Sequence, residues 1–358
     1  MIGSYFHIWI KTLWKNRFNV SLLRFHVLFV ITLMTFMQYP LAIIENLFLR
    51  RKIRNIKIEK NPIFIVGHQR SGTTHLYRLM SKDDSFIYTK LIDISYPLVF
   101  RYFRKIVAFI TTTFMPKERP MDSMILTIDE PEEHELAVAS FNGLSCIVGY
   151  MFLNNYEKYE KYGSFENATE KEREKWKESF QYFLKKLILE YGNKTLLLKS
   201  PNDTEKIPLL LEMFPKAKFI HIHRDPYRVF LSTKKLFIKN NRDTHLQKIK
   251  IDLDDFVIKH YNRMYKKFYE DVSLIPEGQF IEIAYEDLVR NPLEELERIY
   301  ADLSILGFKK ARMNFEVYLD SLKDYQVTKY KIDEELKSKI YNELSYTAKK
   351  WGYMKNSK

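Results

Sequence analysis

The sequence predicts an α/β fold of three layers, with a central parallel sheet and helices on both faces. Three observations carry that prediction. Short apolar runs recur at 63–66, 195–199, 218–222 and 280–283, as in strands buried on both faces. Helical patterns separate them, which is the alternation that parallel crossovers require. The first run ends at Gly67 and leads through Gly72 into a helical stretch, Thr73 to Met80. At 358 residues, 46% hydrophobic and 29% charged, the chain has the size and balance of a large globular domain. We divide it into a basic, apolar helical segment at 1–60 and one α/β domain at 61–358. A single cysteine, Cys146, excludes an internal disulfide framework and a Cys-rich metal site, and points to a reducing compartment.

The amino-terminal segment holds most of the charge. The net charge is +13; ten Lys/Arg against Glu45 and Glu59 put +8 of it in residues 1–60. Val27 to Ile44 carries no charge over eighteen positions, although Gln38 and Pro40 interrupt it. Such a basic, apolar segment attracts polyanions or acidic lipid. No nucleic-acid motif accompanies it, so nucleic acid is the weakest explanation. The apolar run begins late and no small-residue cleavage site follows, which argues against a secretory signal. Three readings stay open: a helix pair docked on the domain, an interfacial anchor, and a true span, the last disfavoured by equally basic flanks.

The strand at 63–66 leads into Gly67-His68-Gln69-Arg70-Ser71-Gly72-Thr73-Thr74. Strand, glycine loop and helix start together make an anion cradle, since the first helical amides and the dipole face the loop. The glycine spacing is that of the nucleoside-triphosphate loop, but Thr73 and Thr74 stand where that motif has Lys and Ser/Thr. The cation sits inside the loop instead, at Arg70. His68 and His75 flank the loop as packing residues. The following stretch, 95–190, is mostly helical and includes the apolar run Ala137 to Phe152 and a solvated helix over 166–178. It also holds Asp129-Glu130-Pro131-Glu132-Glu133-His134-Glu135, an acidic cluster in a basic protein, with Pro131 suited to the first helical position.

At the loop the chain resembles the sulfotransferases that use 3′-phosphoadenosine 5′-phosphosulfate (PAPS). Their first signature is a strand followed by Lys/Arg-Ser-Gly-Thr-Thr, here Arg70-Ser71-Gly72-Thr73-Thr74. The resemblance implies a fold like that of P-loop proteins, a 5′-phosphate held by this loop, and Arg70 against the transferring sulfonate. It also implies a second strand–turn–helix, present as 218–222 followed by His223-Arg224-Asp225-Pro226. In the family an Arg here and a Ser eight residues on hold the 3′-phosphate, which gives Arg224 and Ser232. Arg is suited to that task by its rigid two-pronged donor set. Lys199, at the end of the third run, matches a family Lys near the leaving phosphate. The cytosolic members' catalytic His would fall at Pro201 and is absent. Tyr285, in Tyr285-Glu286-Asp287, matches the family's adenine-side Tyr. The terminal Arg-Lys-Gly of cytosolic members is missing; Lys329 is the substitute candidate, and Trp351-Gly352-Tyr353 a packed terminus.

Transfer of a sulfonate to an alcohol needs a base for the hydroxyl proton and cations for the charge on the bridging oxygen. Arg70 and Lys199 supply the cations. Bacterial relatives carry an acidic stretch like the one here, and Glu133 and Glu135 coincide with its Glu positions. Glu133 is therefore the first choice of base, Glu135 the second and His134 the third. The expectation is a PAPS-dependent sulfotransferase that needs no metal, faces the cytosol and acts on a hydrophobic alcohol such as a sterol or lipid. Peripheral membrane contact through 1–60 is part of it, and 95–190 would cover the acceptor. Two rivals are a P-loop kinase or NTPase and a non-catalytic nucleotide-binding protein at a membrane surface.

Overall fold

A computed structural model describes residues 1–114, 127–322 and 333–354. Five strands, β1 (Ile63–Val66), β2 (Phe86–Tyr88), β3 (Thr195–Lys199), β4 (Lys218–His223) and β5 (Phe280–Ala284), form one sheet in the order β2-β3-β1-β4-β5. The pairs β2–β3, β1–β4 and β4–β5 are parallel, with Ile65 opposite Ile220 and Ile220 opposite Ile281. The fold is thus the expected α/β one. The four strands read from sequence are present. β2, three residues long, is an addition too short to show a pattern. All four β1 residues are buried, whereas β5 at the sheet edge buries only alternate residues.

The chain divides into two compact units. The first comprises residues 1–62, 86–198 and 240–250. It contains α1 (Phe6–Lys15), α2 (Phe25–Asn55), α4 (Leu91–Ser95), α5 (Arg104–Phe114), α6 (His134–Asn142), α7 (Cys146–Met151), α8 (Glu157–Glu160) and α9 (Glu170–Tyr191). The second comprises 63–85, 199–239 and 251–358. It contains α3 (Thr73–Met80), α10 (Ile207–Met213), α12 (Leu253–Asp271), α13 (Tyr285–Arg290), α14 (Pro292–Asp302), α15 (Phe308–Asp320), α16 (Glu334–Glu343) and α17 (Ser345–Lys350). The helix α11 (Pro226–Asp243) begins in the second unit.

In the first unit α9 is the core helix. Thr169 caps it in a reciprocal box with Glu172. The polar stretch at its start is only solvated on one side, because Trp176 and Phe180 on the other side are fully buried. The helix α2 runs without a break through Pro40, which sequence reading takes as an interruption. Pro40 is exposed, and one lost N–H bond is tolerable in a 31-residue helix anchored elsewhere. Its anchor is a narrow stripe of buried residues: Ile31, Thr35, Gln38, Ala42, Glu45, Leu49 and Ile53. That stripe is partly polar, and its polar side chains bond to protein. Gln38 donates to the carbonyls of Ile2 and Ser4. The Glu45 carboxylate accepts from the amides of Arg101 and Tyr102 at 3.2 and 2.9 Å and pairs with Lys186 Nζ at 2.6 Å. Lys186, itself buried, also donates to Pro97 O at 2.7 Å. The inward stripe of α2 is thus held by neighbouring protein groups.

Candidate active site

The nucleotide-type motifs converge at the carboxyl ends of the strands, where open α/β sheets place their ligand crevice. All of them lie in the second unit. The strand β1 delivers the loop Gly67 to Gly72. Two glycines are obligatory there. Gly67 has φ +139° and an added Cβ would meet Ile222 O at 2.3 Å; Gly72 has φ +107° and its Cβ would meet Tyr285 Cδ2 at 2.3 Å. Arg70 also takes positive φ, 71°, an unusual conformation for a residue with a long side chain. The loop amides are held from outside: Gly67 N donates to Thr204 Oγ1 at 2.8 Å and His68 N to Tyr265 Oη at 3.3 Å.

The two motifs expected from sequence are bonded to each other. Arg70 Nε donates to Ser232 Oγ at 2.8 Å, and Arg224 Nη1 reaches Arg70 O at 3.5 Å. The Arg224 guanidinium lies over the Tyr285 ring, 4.2 Å from its centroid, a cation–π arrangement. Tyr285 thus stands between Gly72 and Arg224, at the start of α13. Lys199 is buried at the end of β3, with Nζ 3.5 Å from Thr74 Oγ1. Thr73 is buried at the first position of α3. Three cations, two glycines and the first turn of α3 therefore share one crevice with the ring of Tyr285. Ser71 Oγ is buried and has no hydrogen-bond partner among the described residues. Such an orphaned hydroxyl in a glycine loop fits a phosphate-bearing ligand.

The imidazoles beside the loop are neutral. His68 is fully buried among Tyr261, Tyr265 and His260, and burial pushes its pKa down to about 4. Burial pushes His75 down to about 4 as well, with Arg78 adding to the effect. Both are packing residues in geometry, as expected.

The acidic cluster lies in the first unit, and its local structure differs from the expectation in one respect. Pro131 does not open a helix, which starts only after two further residues, Glu132 and Glu133. It forms an isolated antiparallel bridge with Lys90, while Glu132 N and O bond to Thr89, so the chain stays non-helical through Glu133. The helix α6 then starts at His134 with Glu133 at the N-cap. His134 is buried and stacks on Phe180, ring centroids 5.1 Å apart. Glu135 is buried and accepts from Ser145 Oγ at 2.7 Å. Glu133 keeps partial exposure.

Lys329 lies outside the described residues. Trp351 and Tyr353 are packed behind the second motif: Trp351 stacks on His223 at 4.4 Å, and Tyr353 Oη donates to Glu286 at 2.7 Å. Sequence reading passes over Thr204 and Tyr265. Thr204 had a signal, since Ser200-Pro201-Asn202-Asp203-Thr204 is a polar turn with Pro in first helical position, and Ser200 does cap the short 3-10 turn at 201–205. Tyr265 had none, being one of several apolar-face residues of α12.

Comparison with known proteins bears on the family and the fold. Residues 62–306, more than half of the chain, match the sulfotransferase family. The chain is 32% identical over 357 residues to the omega-hydroxy-beta-dihydromenaquinone-9 sulfotransferase Stf3 of Mycobacterium bovis and of Mycobacterium tuberculosis. That alignment covers 98% of this chain and 90% of the relative. Among solved structures, sulfotransferase STF1 from Mycobacterium tuberculosis H37Rv superimposes with a TM-score of 0.71 at 17% identity, covering 95% of this chain and 90% of that one. Sulfotransferase STF9 from Mycobacterium avium gives 0.65 at 17% identity, covering 84% and 80%. The likeness to these two structures is one of fold. The kinase and non-catalytic readings give way, because the loop, the second motif and the sequence match all lead to one conclusion: the chain belongs to the sulfotransferase family.

Proposed function

We propose that the chain transfers the sulfonate of PAPS to the hydroxyl of a hydrophobic, lipid-like alcohol. The observation that carries the donor assignment is the bonded pair Arg70–Ser232 beside Arg224, which joins the loop to the second motif. When bound, PAPS supplies a sulfonate activated by its link to phosphate. The loop Arg70 to Thr74 would hold the 5′-phosphate and Arg224 with Ser232 the 3′-phosphate. Tyr285 would flank the adenine. Arg70 and Lys199 would neutralise charge where the sulfonate leaves phosphate; aimed cations of this kind act most strongly where water is excluded. We assign no metal to this step.

Glu133 is the proposed base, accepting the proton of the acceptor hydroxyl. It is preferred over its neighbours because Glu135 is buried against Ser145 and His134 is buried against Phe180, whereas Glu133 retains access. The mostly helical stretch 95–190 would cover the acceptor. A lipid-like acceptor is supported by the named substrate of the 32% identical relative and by the aromatic content of 15%. We place the protein in the cytoplasm, in peripheral contact with the membrane through residues 1–60, on the strength of its single cysteine and its basic, apolar start.

The test is turnover of labelled PAPS with a panel of alcohols, with products read by mass spectrometry. Glu133→Gln should retain donor-product affinity and lose about 10²–10⁴-fold in kcat, the usual worth of a general base. Near-normal kcat in Glu133→Gln together with loss in Glu135→Gln or His134→Ala would move the role to a neighbour. Full activity in all three would place the base elsewhere.

A further inference from the structure

The helix α2 is built inside out. Its inward stripe carries Thr35, Gln38 and Glu45, each hydrogen-bonded to protein. Its outward side carries large apolar residues: Phe29, Phe36 and Leu47 are 66%, 62% and 70% exposed. The adjoining α1 and the turn after it add Trp14, Leu22 and Leu23, at 74%, 84% and 83%. An exposed apolar surface of this extent marks an interaction site. Basic residues stand at both of its ends, Arg17 on one side and Arg50, Arg51, Lys52 and Arg54 on the other, all exposed.

From this arrangement we infer that the outer side of α1 and α2 is an in-plane docking face for an anionic lipid bilayer; the inference rests on the membrane contact proposed above and specifies its geometry. The helix is long and apolar enough to cross a membrane. A crossing would strip Gln38 and Glu45 from their partners and leave Lys186 buried without its carboxylate. Lying in the interface keeps every one of those bonds and immerses only the outward residues, to a depth of about 5–10 Å. The basic ends then meet acidic head groups, each cation near the surface raising partition by roughly fivefold. A second copy of the chain fits less well, because a symmetric contact would set one basic segment, net charge +8 over residues 1–60, against another.

The experiment is flotation of the full-length protein with phosphatidylcholine vesicles, with and without about a third phosphatidylglycerol. We expect binding to the mixed vesicles that falls at least tenfold with neutral vesicles or at high salt. Brominated lipid should quench Trp14, and alkaline carbonate should release the protein. The triple variant Phe29→Glu, Phe36→Glu, Leu47→Glu should lose vesicle binding while keeping its melting temperature and its turnover of a short, water-soluble alcohol. Absence of flotation overturns the inference, as does a dimer in light scattering that the triple variant disperses. Resistance to carbonate overturns it in favour of a span. Should the triple variant misfold, Arg50→Ser with Arg51→Ser and Arg54→Ser must still weaken binding to the mixed vesicles, or the inference falls. Flotation without sulfonate transfer to any alcohol would instead refute the catalytic reading and leave the docking face standing.

Discussion

Gly72→Ala adds one methyl group where the phosphate loop meets the ring of Tyr285. Two costs follow from the geometry. The backbone at φ +107° is strained for any L-residue, by about 1–2 kcal/mol. The new Cβ would lie 2.3 Å from Tyr285 Cδ2 and 3.1 Å from Cε2, so the ring must move; overpacking of this kind costs about 1–3 kcal/mol. Together the variant should lose roughly 2–5 kcal/mol, split between stability and ligand affinity. The affinity share arises because the displaced ring carries the Arg224 guanidinium, 4.2 Å from its centroid. We expect at least a tenfold weaker Kd for adenosine 3′,5′-bisphosphate by calorimetry, about 1.4 kcal/mol, and a lower melting temperature. Tyr285→Leu in the same background separates the two costs. If the clash is with the ring, the double variant should recover about 1–3 kcal/mol relative to the sum of the single ones, leaving the backbone strain. A Gly72→Ala protein with normal melting and normal affinity would refute the reasoning, and strictly additive single effects would refute its assignment to Tyr285.

Three further outcomes are expected. Arg224→Ala should weaken binding of adenosine 3′,5′-bisphosphate by roughly 10–150-fold in calorimetry, the worth of about 1.5–3 kcal/mol for a charged hydrogen bond. Glu45→Ala leaves the Lys186 ammonium buried without its carboxylate and should cost about 3–5 kcal/mol in urea unfolding, with Glu45→Leu/Lys186→Met recovering much of it. Stability should fall on mild acidification: His68 titrates at about 4 when folded and near 6.5 when unfolded, so the unfolded chain binds the extra proton between those values. From pH 7.5 to 5.5 the His68 share of this loss is about 1 kcal/mol, so a His68→Gln variant that folds should show an acid-side drop in urea stability smaller by that amount, with His75 still contributing its own.

The crevice at the glycine loop was legible because anion-binding chemistry demands particular residues at short spacing. A glycine at positive φ, a cation within the loop and an Arg eight residues before a Ser leave few alternatives. Thr204 and Tyr265 were not legible to the same degree, since they act by holding loop amides and any donor-accepting side chain at those places could do so. The start of α6 misled for a physical reason. Pro at a first helical position is a preference of local backbone, and here the bridge between Pro131 and Lys90 satisfies that backbone in an extended form. The orientation of α2 was hidden too. An eighteen-residue uncharged run shows no stripe by composition, because the stripe that docks is the more polar side and the lipid-like side faces out.

The bond between Arg70 and Ser232 ties the glycine loop to the second motif. A hydroxyl has one proton to donate and two lone pairs to accept with. With Arg70 Nε on one lone pair, Ser232 can still donate its proton to a phosphate oxygen, so ligand binding need not break the contact. Arg70 and Ser232 are 162 residues apart in sequence, yet the loop and the second motif are joined by this bond and by the approach of Arg224 to Arg70 O. Three cationic side chains would otherwise repel one another in a crevice that also holds a helix amino-terminus. Ser232 as acceptor for Arg70, the Tyr285 ring beneath Arg224 and Thr74 beside Lys199 each give one cation a partner of its own. The arrangement thus holds its positive charge oriented by protein partners, which would leave less ordering to be done by the proposed polyanionic donor.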